Sequence, residues 1–297
     1  MWRAGLIQTE QKPAMLSLGI LGYPLSYSLS PRLHGSAMHS LGLNGEYRLY
    51  PVPPLPEGAA QLAELFGRLR LGKIDGLNVT IPHKQAVLPY LDGLTETARA
   101  IGAVNTIFQQ EGRWIGDNTD APGFLSDLRR VLPSRTAGAQ ALVLGAGGAA
   151  RAVVYSLLTD GWQVTVAARR LEQAQSLAAS LLPAGEGRAS ARPILLDVAA
   201  FQNLPAGIEL IVNASSAGML PEVESSPWPD GASLAEGAFV YDLVYKPPET
   251  TLMRQAQAAG LPAANGLGML VEQAALALER WSGLSVPRQA MWQVIQA

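Results

Sequence analysis

The stretch ALVLGAGGAARAVVYSLL, residues 141–158, decides the fold of this chain. Its apolar start predicts a buried strand, its glycine-rich centre a tight turn, and its apolar remainder a helix. Gly145, Gly147 and Ala150 have the spacing G-x-G-x-x-A, in which the first glycine permits the turn and the second lets the backbone approach a pyrophosphate. Backbone N–H groups at the start of the helix then attract the anion. The stretch therefore predicts a dinucleotide-binding site, and the alternative is an ordinary turn between a strand and a helix.

The alternation of strand and helix continues in both directions from this stretch. In the second half, strands are predicted at residues 141–145, 162–168, 193–198, 209–215 and 239–245. In the first half, strands are predicted at residues 16–21, 46–52, 75–80, 104–108 and 113–116, with helices at 31–42 and 59–70. Such alternation is typical of an α/β protein with largely parallel sheets. The two halves are predicted to meet near residues 116–124, where polar residues, proline and glycine interrupt the pattern.

The composition narrows the class of protein. With 297 residues the chain is long enough for two domains, and 48% hydrophobic with 15% charged residues is typical of a compact protein. The net charge of −2 does not indicate a nucleic-acid partner or an anionic membrane surface. The absence of cysteine excludes disulfides, thiolate metal sites and a cysteine nucleophile. The three histidines are scattered, so we expect no histidine-rich metal site and assign no metal.

The N-terminal segment and the hydropathy indicate where the protein acts. Residues 1–16 include an acid, amides and a proline and have no continuous apolar core, so we do not expect a signal peptide. No apolar run approaches the roughly 20 residues of a membrane span. We therefore expect a soluble, cytoplasmic protein with no membrane partner. The sequence does not determine the oligomeric state, and a homodimer stays open.

The end of the next predicted strand indicates which dinucleotide is bound. In NAD-binding proteins an acidic residue about 20 residues after the glycines usually contacts the ribose hydroxyl. Here the strand ends in Ala168, Arg169 and Arg170. Guanidinium groups suit the 2′-phosphate of NADP, which a carboxylate would repel, so we predict NADP. The alternatives are that the arginines only begin an exposed helix, and that Glu172 serves as the acid.

Two serines in the first half indicate a site for an anionic group of the substrate. Ser28 and Ser30 come just before Pro31, a residue favoured at the first position of a helix. Two serines at this spacing in an extended run point the same way, and beside a helix N-terminus they can hold a carboxylate. Tyr23 or Tyr27 can add a further hydroxyl. The alternative for Ser30 is a helix N-cap.

A lysine follows the next strand, in NVTIPHK, residues 78–84. The pattern predicts a strand, then Thr80, then a helix that begins at the proline and carries Lys84 in its first turn. Helix N-termini favour anions, so a cation there is either tolerated at the surface or used in the function of the protein. Asn105 and Asp120 also follow predicted strands, and ligand sites in α/β sheets lie at the carboxyl ends of strands. The alternatives are that Asn105 satisfies a turn and that Asp120 caps the next helix.

The segments SLSP, NVTIPHK, GAVNT, DNTD, GAGGAARA, NASSAGM, DLVY and NGLGMLVEQA occur in the order seen in shikimate dehydrogenases, and the chain resembles that family over residues 18–280. The resemblance implies an N-terminal α/β substrate domain with a mostly parallel sheet (1–119), a Rossmann-type NADP-binding domain (120–265) and a C-terminal helical segment that returns to the substrate domain (266–297). The implied reaction is the reversible, NADPH-dependent reduction of 3-dehydroshikimate to shikimate in aromatic amino-acid biosynthesis.

The resemblance also implies roles for single residues. Lys84 and Asp120 match the catalytic pair of the family. The residues that match its substrate contacts are Ser28, Ser30, Thr80, Asn105, Tyr245 and Gln273. The residues that match its cofactor loop and phosphate-binding segment are Gly145, Gly147, Gly148, Ala149, Arg169 and Arg170. Three more lie near nicotinamide or cofactor in the family, namely Gly266, Met269 and Met219.

The chain departs from the family pattern at several positions. Tyr27 stands where a histidine is common, and Ala168 stands where an asparagine is usual near the adenosine ribose. Ala121 replaces a glycine, Asn265 replaces an aspartate, and NASS replaces the commoner NAT. None of these changes removes a group that the chemistry requires.

Two alternatives to the implied function stay open at this point. One is a quinate or quinate/shikimate dehydrogenase that uses NAD, with the same catalytic pair and other contacts to the ring. The other is a noncatalytic NADP-binding sensor, against which the presence of both Lys84 and Asp120 counts. In an enzyme, a site divided between two domains is expected to close over its substrate, with hinges near residues 118–124 and 262–268.

Overall fold

The computed structural model describes residues 15–136, 138–181 and 191–296. Residues 1–14, on which most of the signal-peptide expectation depends, lie outside the described residues. The described chain forms two six-stranded sheets with helices packed against them, and the α/β prediction is confirmed.

The first sheet brings the predicted substrate and catalytic residues to one edge. Its strands are β1 (Leu16–Gly22), β2 (Gly45–Pro51), β3 (Gly76–Val79), β4 (Gly93–Leu94), β5 (Thr106–Gln110) and β6 (Arg113–Asp117). Their order is β2-β1-β3-β5-β6-β4; β1 is parallel to β2 and β3, and β5 is antiparallel to β3 and β6. Because of this reversal, the start of β5 lies beside the ends of β3 and β6. Asn105, Thr80 and Asp120 are therefore brought to the same edge.

The second sheet is fully parallel. Its strands are β7 (Gln140–Leu144), β8 (Gln163–Ala168), β9 (Arg192–Leu195), β10 (Ile208–Asn213), β11 (Phe239–Asp242) and β12 (Ala263–Asn265). The order β12-β11-β10-β7-β8-β9 is that of doubly wound dinucleotide-binding sheets, with the change of direction between β7 and β10. The central strands are buried, as their continuous apolar sequences require in a sheet covered on both faces.

Ten α-helices occur within the described ranges. They are α1 (Ser30–Ser40), α2 (Ala59–Arg70), α3 (Glu96–Ile101), α4 (Asp120–Val131), α5 (Gly148–Thr159), α6 (Leu171–Ser180), α7 (Val198–Phe201), α8 (Thr251–Ala258), α9 (Leu267–Ser282) and α10 (Arg288–Gln296). The α2 helix has the predicted bounds, and α1 begins one residue before and ends two residues before its prediction.

Helices α4 and α9 lie where the chain passes between the two sheets, and they pack against each other. Apolar residues of α9, such as Val271 and Leu278, pack with Leu33 of α1 in one buried cluster. The Trp281 indole N–H donates to the Ile107 carbonyl of β5 at 2.9 Å. The C-terminal part of the chain is thus fixed to the first sheet.

The prediction of a helix that begins at Pro82 is wrong. Residues 81–87 form turns, followed by a single-turn 3₁₀ helix at Leu88–Tyr90. The reason is a non-local hydrogen bond: the Lys84 carbonyl accepts the backbone N–H of Val104 at 2.8 Å instead of serving a helix. Lys84 is therefore placed by pairing with the chain before β5, not by a helix N-terminus.

The extended geometry predicted for Ser28 and Ser30 is also wrong. Leu29 between them has helical dihedral angles (φ −86°, ψ −7°), so the two serines do not alternate along a strand. The Ser28 hydroxyl accepts the Ser30 backbone N–H at 3.3 Å, and Ser30 is the first residue of α1. The N-cap position belongs to Leu29, so Ser30 does not cap this helix with its side chain.

Membrane-spanning helices and clusters of metal-binding side chains are both absent from the described part of the chain. There, no helix is both long and apolar enough to cross a membrane. Nor do three or more His, Asp or Glu side chains of those same residues come together in a group suited to a metal ion.

Candidate active site

Lys84 and Asp120 form a buried ion pair at the carboxyl edge of the first sheet. Lys84 Nζ lies 2.5 Å from Asp120 Oδ2, and the two side chains are only 14% and 6% exposed. The turn after β3 places Lys84, and Asp120 is the first residue of α4. Within the described chain, Nζ has no second hydrogen-bond partner, so its remaining N–H groups are available to a substrate oxygen.

Asn105 fixes the second oxygen of this carboxylate. Its amide nitrogen donates to Asp120 Oδ1 at 2.8 Å, and its amide oxygen accepts the Thr119 backbone N–H at 2.7 Å. Asn105 therefore satisfies the loop, as the structural interpretation predicts, and it also orients the carboxylate; its contact with substrate stays a prediction. Asp120 turns its side chain to Lys84 and Asn105, and the N-cap position of α4 belongs to Thr119.

Gln273 reaches this cluster from α9. Its side-chain oxygen accepts from the Asn105 amide at 3.3 Å, although the two residues are 168 positions apart. The close approach requires Gly123 on α4, where a Cβ would lie 2.8 Å from the Gln273 backbone nitrogen. The structure thus brings four of the predicted residues into one hydrogen-bonded group, namely Lys84, Asp120, Asn105 and Gln273.

Four of the predicted substrate-binding residues lie at the edge of the first sheet near the start of α1, namely Ser28, Ser30, Thr80 and Tyr245. Tyr245 follows β11 in the second sheet, and the Leu29 backbone N–H faces its hydroxyl. Burial raises the pKa of Tyr245, so the hydroxyl stays protonated. Thr80 follows β3, and its backbone N–H donates to the Leu21 carbonyl at the end of β1. Ser28 and Ser30 occupy the same edge, because they follow β1.

The glycine loop has the geometry that a dinucleotide requires. Gly145 has φ +115°, a left-handed conformation that favours glycine, and its N–H donates to the Ala167 carbonyl. A Cβ on Gly147 would meet nothing within 4 Å, so open space lies in front of α5. The first N–H groups of α5, including those of Gly148 and Ala149, have no partner within the helix and can hold phosphate oxygens.

Gly148 joins the cofactor loop to the catalytic residues. A Cβ at Gly148 would lie 2.9 Å from Lys84 Cβ. A side chain at position 148 would therefore press against the lysine that the ion pair orients. This contact places the predicted cofactor loop directly beside the predicted proton donor.

Arg169 and Arg170 lie at the carboxyl end of β8, and both are exposed. Neither makes an ion pair within the described residues, so both guanidinium groups are free to bind a phosphate. Ala168 before them is buried, and Glu172 lies in the exposed first turn of α6. The structure therefore places two cations and one acid where the adenosine end of a dinucleotide is expected.

The remaining predicted cofactor residues lie around the ends of β10 and β11. A Cβ on Gly266 would lie 2.1 Å from the Leu243 carbonyl oxygen, so only glycine lets α9 begin there. Met269 is 7% exposed and belongs to the core of the second sheet. Met219 is half-buried in the turn after β10 and has no hydrogen bond to the Lys84–Asp120 group within the described residues.

Sequence reasoning missed two groups that support the site. Tyr47 donates to Asn78 Oδ1 at 2.6 Å, and the Asn78 amide donates to the Asn105 carbonyl at 3.2 Å. Asn78 had a signal, because it lies two residues before Thr80 and so on the same side of the strand. The other group is the buried carboxylate of Asp127, which accepts from the Tyr241 hydroxyl at 2.6 Å and had no local signal.

The geometry suits proton transfer beside a bound dinucleotide. An ammonium group held by a carboxylate can donate a proton to a substrate oxygen, and the carboxylate fixes its direction. The glycine loop beside it fits a dinucleotide, and the two exposed arginines fit a 2′-phosphate. These are the parts that a dinucleotide-dependent reduction of a ketone requires.

Known proteins share nearly the whole length of this chain. The family profile "Shikimate dehydrogenase substrate binding domain" matches residues 20–107, and the profile "Shikimate 5'-dehydrogenase C-terminal domain" matches residues 266–296. A protein named "Shikimate dehydrogenase (NADP(+))" from Salinibacter ruber is 43% identical over 284 residues, which cover 94% of this chain and 96% of that protein.

Solved structures agree with these matches. Shikimate 5-dehydrogenase from Thermus thermophilus, in complex with NADP(H) and shikimate, has a TM-score of 0.78 and 38% identity, with 95% of this chain and 99% of that chain covered. Quinate dehydrogenase from Corynebacterium glutamicum, in complex with NAD, has a TM-score of 0.82 and 32% identity, with coverage of 95% and 99%.

Proposed function

This chain belongs to the shikimate dehydrogenase family, and we propose from that membership that it catalyses the reversible reduction of 3-dehydroshikimate to shikimate with NADPH. It is an NADP-dependent oxidoreductase, as the sequence predicted. The observation that carries the proposal beyond family membership is the Lys84–Asp120 pair at 2.5 Å, directly beside the glycine loop.

Lys84 acts as the proton donor in the reduction. Bound NADPH supplies the hydride to the ketone carbon. The ketone oxygen takes a proton from the Lys84 ammonium, which becomes an amine. In the oxidation of shikimate, the amine takes the proton back from the hydroxyl. The Asp120 side chain holds Nζ in one direction, while Asn105 holds Asp120.

The other site residues bind and orient the substrate. Ser28, Ser30 and Tyr245 hold its carboxylate at the start of α1. Thr80, Asn105 and Gln273 contact its hydroxyl groups at the other end. This division is supported by the position of each residue at the carboxyl edge of the first sheet, with Tyr245 reaching it from the second.

The cofactor residues of this chain hold the dinucleotide at both ends. Gly145, Gly147 and the first N–H groups of α5 bind the pyrophosphate, and Arg169 with Arg170 binds the 2′-phosphate. Met219, Gly266 and Met269 line the nicotinamide end through their backbone or side-chain surface. The close approach of Gly266 to Leu243 supports a rigid boundary on that side of the nicotinamide site.

A quinate dehydrogenase that uses NAD is the second candidate. The structural similarity to the Corynebacterium glutamicum enzyme is the observation that favours it. The relative with 43% identity and the structure with 38% identity are both shikimate dehydrogenases, and they favour the first candidate. A noncatalytic sensor has no use for the buried ion pair of Lys84 and Asp120.

We further propose the domain bounds 1–119, 120–265 and 266–297, with hinges near residues 118–124 and 262–268. The two sheets on either side of these segments, and the packing of α9 on α1, support that division. Crystal structures of the free protein and of a ternary complex should differ in the angle between the sheets, and equal angles would contradict closure.

A cytoplasmic location and a homodimer are tested separately, by cell fractionation and by light scattering.

The initial rate of NADPH formation tests the function. Purified protein is given shikimate with NADP⁺, and the parallel reactions contain quinate or NAD⁺. We expect rapid turnover that prefers shikimate and NADP⁺. A preference for quinate or NAD⁺ would favour the second candidate, with the same catalytic pair. If folded protein showed no turnover in any of these reactions, the proposal that it is such an enzyme would be refuted.

A further inference from the structure

Two side chains from loops of the two different sheets lie close together near the start of α1. Tyr27 belongs to the loop after β1, and Lys246 belongs to the loop after β11 in the other sheet. Lys246 Nζ lies 5.7 Å from the centroid of the Tyr27 ring, within the range of a cation–π contact. The tyrosine is 49% exposed, and Lys246 is exposed as well.

Tyr245, the neighbour of Lys246, also lies near the first loop. Burial raises the pKa of its hydroxyl, and the nearby Leu29 backbone N–H partly offsets that rise. Positions 27 and 29 of one loop therefore meet positions 246 and 245 of the other. The cation is thus brought next to the segment that carries Ser28 and Ser30.

The surroundings indicate a surface used for a ligand. Tyr23, Tyr27 and Ile81 are large apolar residues that are 46%, 49% and 49% exposed. All three follow strands β1 or β3 at the edge that carries the Lys84–Asp120 pair. Exposed apolar groups gathered at one place mark a site of contact more often than scattered ones do.

We propose that Tyr27 and Lys246 form a clasp over the substrate carboxylate, in which Lys246 supplies the positive charge that makes the site selective for anionic substrates. The proposal rests on the proposed function, because it takes the carboxylate of shikimate to lie against Ser28 and Ser30. Serine and tyrosine hydroxyls bind a carboxylate without neutralising it. Lys84 is committed to the reacting oxygen, so the other end of the substrate requires its own cation.

Tyr27 holds the lysine in place. A lysine side chain has many rotamers, and contact with an aromatic face limits them. Tyr27 stands where a histidine is common in the family, so this chain has a larger ring on which the lysine can rest. Tyr27 and Lys246 are therefore specificity residues that act on the carboxylate, and Tyr27 acts through Lys246.

Binding measurements on the NADPH-loaded protein, which cannot oxidise shikimate, test the clasp. The dissociation constants of shikimate and of its uncharged methyl ester are measured by calorimetry at low ionic strength. Lys246→Met should weaken binding of shikimate about threefold to fivefold, the range of one partly exposed charge pair, and leave the ester unchanged.

Matched variants separate the clasp from a general effect. Lys73→Met removes the same charge from the loop before β3, at the opposite edge of the sheet, and should change neither constant. Tyr27→Ala should weaken shikimate binding about as much as Lys246→Met does. The double variant should have a dissociation constant no larger than that of whichever single variant binds shikimate less tightly. Tyr27→Phe keeps the ring and should bind like the wild type.

The outcomes are distinct. Unchanged shikimate binding in Lys246→Met, in protein that turns over shikimate, would overturn the clasp and leave the function intact. Equal losses for shikimate and its ester would also overturn it, because the lysine would then act on the shape of the cleft. Wild-type protein without turnover would refute the function itself, whatever the variants bind.

Discussion

Single residues carry the chemistry, and their positions depend on contacts that are distant in sequence. Lys84 is oriented by Asp120, 36 residues away, and Asp120 is oriented by Asn105. The lysine backbone is held by Val104, not by a helix. The catalytic geometry is thus a property of the sheet edge, where three segments of chain meet.

Replacing Lys84 with alanine should lower kcat about 10²- to 10⁴-fold, the usual contribution of a general acid or base. The Michaelis constant for shikimate should change little, because Lys84 acts mainly on the transition state. Steady-state rates at saturating NADP⁺ measure both quantities. Lys73→Ala is the control, and a Lys84→Ala enzyme with normal kcat and a raised Michaelis constant would remove Lys84 from proton transfer.

We propose that the two arginines after β8 select NADP over NAD. Replacing Arg169 and Arg170 with serine should raise the Michaelis constant for NADP⁺ about 10- to 100-fold, the value of lost hydrogen bonds to a charged group. The constant for NAD⁺ should stay the same, because NAD⁺ lacks the 2′-phosphate. Arg254→Ser serves as the control, because it removes an exposed arginine of α8, which lies elsewhere in the domain built around the second sheet. A parallel rise for both cofactors would contradict the assignment.

At the scale of elements, the crossing of α4 and α9 depends on glycine. A Cβ on Gly268 would lie 1.9 Å from Asp127 Oδ1, and one on Gly123 would lie 2.8 Å from Gln273 N. Asp127 is buried and accepts from Tyr241 of β11 and from Arg130 of its own helix. The carboxylate therefore fills the space that a side chain at position 268 would need, and links α4 to the second sheet beside α9.

Gly268→Ala should destabilise the protein by about 2–4 kcal/mol, because the new methyl group must displace a buried, hydrogen-bonded carboxylate. Urea denaturation measures the change. Gly67→Ala, in the middle of α2 with nothing within 4 Å of its Cβ, should be neutral or stabilising by up to about 1 kcal/mol. If both variants lost the same stability, close packing at Gly268 would not be the cause.

At the scale of the whole molecule, two buried titratable groups give opposite dependences of stability on pH. Burial raises the pKa of Asp242 to about 6, so protonation favours the folded state and stability falls as pH rises from about 4 through 6. Burial lowers the pKa of His34 to about 3, so stability falls as pH drops below 6.5. His34 has no hydrogen-bond partner on either ring nitrogen within the described residues. The two effects offset each other in the wild type.

Asp242→Asn isolates one of these effects. Asp242 accepts from Asn213, from the Val244 N–H and from Thr250, and an asparagine can keep all three contacts by donating to the Thr250 hydroxyl. Relative to the wild type, the variant should gain about 3 kcal/mol of unfolding free energy between pH 4 and pH 7, from a pKa difference of about two units. Urea denaturation at several pH values measures it, and a constant difference across that range would contradict a raised pKa in Asp242.

The domain built around the first sheet and the domain built around the second are joined by contacts close to the proposed active site. The Arg151 guanidinium of α5 donates to the Ile101 carbonyl of α3 at 2.6 Å, and Gly148 lies against Lys84. The Arg280 side chain of α9 binds Asp117 at the end of β6 at 2.8 Å. The glycine loop, the loop that carries Lys84 and helix α9 are thus joined at the edge of the proposed active site.

The sequence by itself determined the features that depend on near neighbours. The strand, turn and helix of residues 141–158 follow from hydrophobic period and from glycine, whose backbone freedom is local. The arginines after β8 indicate the cofactor because their distance from the glycine loop is fixed along one βαβ unit. The combined motifs also indicated the family, which the comparisons confirmed.

Only the tertiary structure decided which side chains meet. Lys84 leaves the predicted helix because its carbonyl pairs with Val104, a partner 20 residues away that no local pattern contains. Gln273 joins Asn105 across 168 residues, and Lys246 meets Tyr27 across two sheets. Such contacts depend on how the two sheets and the two crossing helices pack, and packing is settled by the whole chain at once, since each buried surface must find its complement.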